Sequence, residues 1–159
     1  TVVTDPAQAA VLAQLTTPAS NTQIFAPTNA AFTTALATGG YLDGKSAADI
    51  TKILRYHLAT AGSFTQTAVI GTSTGNINNG ASSATSFLPT TATTDATVTT
   101  RVNLGTSTTV FQTFRIEKNS VKIFENPAIT VPASNIKTVN IHTSNGIIHI
   151  IDRVLQPVL

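Results

Sequence analysis

His57, His142 and His149 are the only histidines in the chain, and with Tyr56, Ser144 and Asp152 they are the residues whose types and spacing could do chemistry. Imidazoles move protons near neutral pH and bind zinc. Three of them could hold one zinc ion, but nothing in the spacing of these three supports it. Ser144, His149 and Asp152 can be written as a hydrolase triad. There is no G-x-S-x-G elbow, however, and closeness in sequence is not triad geometry. Residues three apart in an extended strand point to opposite faces, so His149 and Asp152 are poorly placed as a relay or a chelate. Asp152 is expected to pair with Arg153 or a backbone N–H, and His149 to be a partly buried strand residue. Gly39-Gly40 has neither the lysine nor the spacing of a phosphate loop. With no cysteine, thiolate chemistry and disulfides are excluded. No catalytic residue, metal ligand or cofactor is predicted, and the chain does not read as an enzyme.

Tyr56 and His57 remain as candidate binding residues, and a helix must position them. Ser46 and Asp49 form a capping signature. Ile50, Ile53, Leu54, His57 and Leu58 fall at i, i+3, i+4, i+7 and i+8, one face of a helix expected to run to Gly62. That stripe turns His57 toward the core, where its ring should be hydrogen-bonded. Tyr56, about 100° around the helix, is expected to reach solvent.

Two shorter helices precede this one. Asp5-Pro6-Ala7-Gln8 caps the first, with Ala9, Leu12, Ala13 and Leu15 as its apolar positions. Residues 23–26 form a short strand ended by Pro27. Thr28 then caps a second helix lined by Phe32, Ala35 and Leu36 and stopped at Gly39-Gly40. Residues 65–95 turn to Thr, Ser, Asn and Gly, a loop composition that could hold strand pieces such as residues 68–70. Residues 71–86 have too little apolar content to contribute much core and should be dispensable for folding. Strands are predicted at 97–104, 109–116, 121–124 and 136–141, with a hairpin turn at 117–120.

The chain closes on NGIIHIIDRVLQPVL (145–159). Ile147, Ile148, Ile150 and Ile151 make this strand apolar on both faces, which predicts a central strand covered on both sides, with pairing ending near Pro157. Helices first and strands last indicate an α+β fold.

At 159 residues the chain is long enough for one domain with a substantial core. Apolar residues make up 42% and charged residues only 10%, and the net charge of +2 gives no basic patch for nucleic acid. No apolar run reaches membrane-spanning length. There is no Met and no N-glycosylation sequon, which suits a soluble module excised from a larger exported protein.

Three segments together resemble the fasciclin (FAS1) family. TQIFAPTNAAF (22–32) is similar to its first signature block, ILRYHL (53–58) to its Tyr-His motif, and NGIIHIIDRVLQP (145–157) to its second block, with residues 138–144 as the approach strand. The order and rough spacing agree, and the resemblance covers essentially residues 1–159 as a single domain. The stretch before the first block is shorter than usual, and the polar excursion between 65 and 110 is longer. The resemblance implies a wedge-like β-sandwich of two sheets with helices packed on one side. It implies a non-catalytic extracellular adhesion or interaction module, secreted, on the cell surface or in the periplasm, acting as a monomeric domain. The implied partner is a cell-surface or matrix protein, or a glycan, with membrane contact only through other parts of a longer protein. Carried onto this chain, the family's adhesion motif falls on Tyr56 and His57. No Arg-Gly-Asp occurs, so integrin binding does not follow. A small-ligand or glycan-binding domain and a structural spacer in a tandem array are the alternatives. The lack of cysteine and sequons favours a bacterial surface.

Overall fold

A computed structural model describes residues 6–16, 22–64, 96–103, 111–117, 122–125, 132–143 and 146–159. In chain order they form α1 (Pro6–Thr16), β1 (Thr22–Pro27), α2 (Asn29–Leu36), α3 (Ala47–Tyr56), β2 (Leu58–Phe64), β3 (Ala96–Asn103), β4 (Phe111–Ile116), β5 (Lys122–Phe124), β6 (Ser134–Thr143) and β7 (Gly146–Ile151). This is the expected α+β order. The expectations for residues 65–95, including strand pieces at 68–70 and the dispensability of 71–86, lie outside the described residues.

The strands pair in sequence order, each antiparallel to the next. β7 then runs parallel to β1 and closes the ring, with Phe25 opposite His149 and Pro27 opposite Ile151. The described strands thus form one sheet curled on itself, and the two-sheet sandwich expected from the resemblance is not confirmed. Register shifts between β2 and β3, β3 and β4, and β6 and β7 supply the local bends such closure needs. α3 packs on β2 and β3, α1 on α3, and α2 on β1, so the described helices share the β1–β3 side.

β7 pairs with β1 on one side and β6 on the other, but the cover on both faces expected from its isoleucines is not found among its described residues. Its two faces are unequal: His149 and Ile151 are fully buried, while Ile148 and Ile150 are half-buried. Pairing ends at Ile151, short of Pro157, because β1 also ends there and the Thr28 N–H donates to the Ile151 carbonyl. The core interior holds Phe25, Tyr56, Phe114, Ile116, Ile123, Ile136, Ile151 and Leu155. The tail beyond β7 has no regular structure, yet it seals this core with Leu155 and packs Val154 against Ala35 and Ile53. Gln112 clamps the tail end, accepting from the Val158 N–H and donating to its carbonyl, both at 2.8 Å.

The helix caps follow the sequence. Thr28 accepts from the Ala31 N–H, and Ser46 with Asp49 forms the full capping box. Gly40 ends the α2 region with its Cα against backbone. A Cβ there would lie 2.5 Å from the Ala35 carbonyl oxygen.

Three helix expectations are corrected. In α1, Val11 and Leu15 turn inward at i, i+4, while Ala9, Leu12 and Ala13 are exposed. In α2, Ala31 and Ala35 are the buried positions, Ala35 packing against Ile53 and Val154, while Phe32 and Leu36 are exposed. α3 stops at Tyr56 rather than Gly62. The chain from Leu58 is captured as strand by β1, with Leu58 opposite Ile24 and the Phe25 N–H bonded to the His57 carbonyl. Tertiary pairing there overrides the helical periodicity.

Candidate functional site

His57 is the C-cap of α3, and its position follows from that role. Its backbone has already left the helix toward β2, while its N–H still reaches back to the Leu54 carbonyl. The ring folds over the last turn. Nδ1 lies 2.7 Å from the Ile53 carbonyl oxygen, one of the orphan acceptors of a helix end. Nε2 lies 2.9 Å from the Leu155 N–H. A carbonyl can only accept and an N–H can only donate, so Nδ1 carries the proton and Nε2 is the acceptor. The imidazole is neutral. Burial pushes its pKa down to about 4, the Ile53 carbonyl opposing that only in part.

Tyr56, expected to reach solvent, is fully buried. Its ring meets Phe114 edge-on at 5.8 Å, and its hydroxyl donates to the Thr113 carbonyl at 3.0 Å. Helical periodicity misses this because β4, distant in the chain, supplies the ring and the carbonyl that cover that side of α3. Both candidate binding residues are thus inside, and neither offers a surface contact.

His149 is also fully buried, more deeply than expected. It stacks on Phe25 across the parallel β1–β7 pair at 5.0 Å and 25°, and burial pushes its pKa down to about 4. Asp152 lies past the strand end, away from any relay. Its carboxylate accepts from the Asn135 backbone and side chain, both at 2.7 Å, and sits 3.2 Å from the Lys137 ammonium. Partial burial would raise its pKa, but those donors outweigh burial and hold it below the usual carboxylate range. The backbone N–H partner matches expectation; the cation is Lys137 rather than Arg153. Ser144 and the His142 side chain lie outside the described residues. Among the described residues no group of three His, Cys, Asp or Glu side chains converges. His57, with both nitrogens engaged, could join one only by releasing the tail.

Two features were not legible in the sequence. Tyr41, Glu125 and Arg153 come near one another behind α2. Burial pushes the Glu125 carboxyl up to about 7 against the pull of Arg153. Burial, then the Glu125 and Asp49 charges, push the Tyr41 phenol up to about 12. The second feature is a cavity of about 250 Å3 on the helical side, walled by α1, β1 and α3, with His57 in its lining and Phe32 and Leu54 half-exposed beside it. Periodicity could indicate each helix face but not the gap left between them.

A strand ring closed by a parallel pair, with helices on one side and His57 and His149 buried inside, defines a small α+β fold. The family model for the fasciclin domain matches residues 1–157, and the chain belongs to that family. Fasciclin domains are generally non-catalytic adhesion or interaction modules and typically extracellular. No curated protein matches the chain. Among the described residues, no helix is long and apolar enough to cross a membrane.

Proposed function

We propose that this domain is a non-catalytic adhesion or interaction module of an exported protein, working as a monomeric unit at a bacterial cell surface or in the periplasm. Its partner is a cell-surface or matrix protein. Family membership supports the class, and one observation carries the surface. Phe32 and Leu36 lie one turn apart on α2, a helix that buries only alanines, and Leu36 is 64% exposed. Leu12 on α1 and Leu54 on α3 add exposed apolar side chains from neighbouring helices. A core that turns two large apolar side chains of one helix outward leaves a face suited to a partner. Tyr56 and His57 serve that face from beneath: they fix the end of α3 and touch no partner. A glycan partner is less well supported, because the helical cavity has an almost wholly apolar lining.

Beads coated with the domain should adhere to partner-bearing cells or matrix, and Leu36→Asp should abolish adhesion while melting like the parent. Undiminished adhesion by Leu36→Asp would move the interaction surface elsewhere.

A further inference from the structure

We propose that the cavity on the helical side is a binding site for a small apolar molecule, a hydrocarbon chain or compact ring system of about ten carbons. This inference does not depend on the adhesion reading. The size follows from volume. A dry cavity of about 150 Å3 accommodates benzene, so about 250 Å3 suits a larger hydrocarbon. The chemistry follows from the walls. Val11 and Leu15 come from α1, Ile24 from β1, and Ile53 and Leu54 from α3. Among the described lining side chains only His57 carries polar atoms. Its Nδ1 is spent on the Ile53 carbonyl and its Nε2 on the Leu155 N–H.

No described lining side chain is therefore free to hydrogen-bond a guest. A buried hydroxyl or carboxylate on the ligand would lose its water without replacement, at a cost of about 1–3 kcal/mol for a neutral group and more for a charge. The part that enters must be hydrocarbon, and any polar head must stay at the mouth. Phe32 and Leu54 mark that mouth, being 38% and 39% exposed while lining the same space. Sugars, nucleotides and free metal ions are excluded as guests by the same argument. The walls come from elements distant in the chain: α1 packs on α3, and the His57–Leu155 bond fixes the end of α3 that lines the cavity.

The test is titration of the domain with n-decanol by calorimetry, with glucose as a polar control. Saturable one-to-one binding of decanol, none of glucose, and a raised melting temperature are expected. Phe32→Ser and Leu54→Ser should each weaken decanol binding at least tenfold while melting close to the parent. Ile141→Ser, which removes an exposed apolar side chain on β6 outside the cavity, should leave affinity unchanged. Absence of saturable binding up to the solubility limit of decanol would overturn the proposal. So would an equal loss in Ile141→Ser, or full affinity in both mouth variants.

Discussion

The ring of His57 accepts the backbone N–H of Leu155 at 2.9 Å, a bond that spans 98 residues and ties the end of α3 to the C-terminal tail. The same ring donates to the Ile53 carbonyl at 2.7 Å. One side chain thus completes a helix terminus, fills part of a cavity wall and holds in place the tail that seals the core.

His57→Ala should lower unfolding free energy by about 2–5 kcal/mol. It leaves a buried N–H and a buried carbonyl unpaired and opens space beside an existing cavity. Urea melts measure this, and a loss below about 1 kcal/mol would mean the joint is held by other contacts. Any adhesion defect of this variant needs a melting control before it counts as a lost contact.

Stability should fall steeply on acidification. His57 and His149 titrate near 6.5 when unfolded but at about 4 when folded, so between those values the unfolded chain binds more protons. Their contribution is complete above about 6.5 and is lost as pH drops to about 4, at about 3 kcal/mol for each histidine. Glu125 acts oppositely. Its folded pKa of about 7 lies above the unfolded 4.5, so its contribution is present below 4.5 and lost as pH rises through 7. The melting temperature should therefore peak near pH 6.5. Glu125→Gln should remove the decline on the alkaline side while keeping the acid limb. A flat profile from pH 4 to 6.5 would show that the histidines are not held neutral.

Tyr56→Ala should be at least as damaging as His57→Ala, costing about 3–5 kcal/mol, because a fully buried aromatic is removed from the main core. Tyr56→Phe isolates the hydroxyl. It should cost about 1–3 kcal/mol, since the Thr113 carbonyl loses its donor. Equal stability of Tyr56→Phe and the parent would show that water replaces that bond freely.

Within β7, Ile151→Ala should cost about 2–5 kcal/mol and Ile150→Ala distinctly less, because only Ile151 is fully buried. Comparable losses at both positions would mean that the second face of β7 is as well covered as the first.

The local grammar of the chain was readable in its residues. Thr28 and the Ser46–Asp49 pair announce helix starts because their side chains can reach free N–H groups within three residues. The isoleucines of 147–151 announce a strand, and the strand starts in the second half are close to their observed bounds, because β-branched runs suit a pleated ribbon wherever it lies. His57 was legible as a core residue from its stripe. What the residues could not say was where α3 would stop, which faces of it would be covered, or whether the strands would close. Leu58 is a good helical residue by period, but pairing with Ile24 satisfies its backbone in a strand instead. Tyr56 points away from the stripe, yet a strand reached only after residues 65–95 covers that side too. The cavity and the carboxyl pushed up to about 7 at Glu125 arise from segments distant in sequence that meet without filling the space between them. Local preference acts over three or four residues. Burial, ring closure and pKa depend on neighbours tens of residues away, and only the packed chain brings those together.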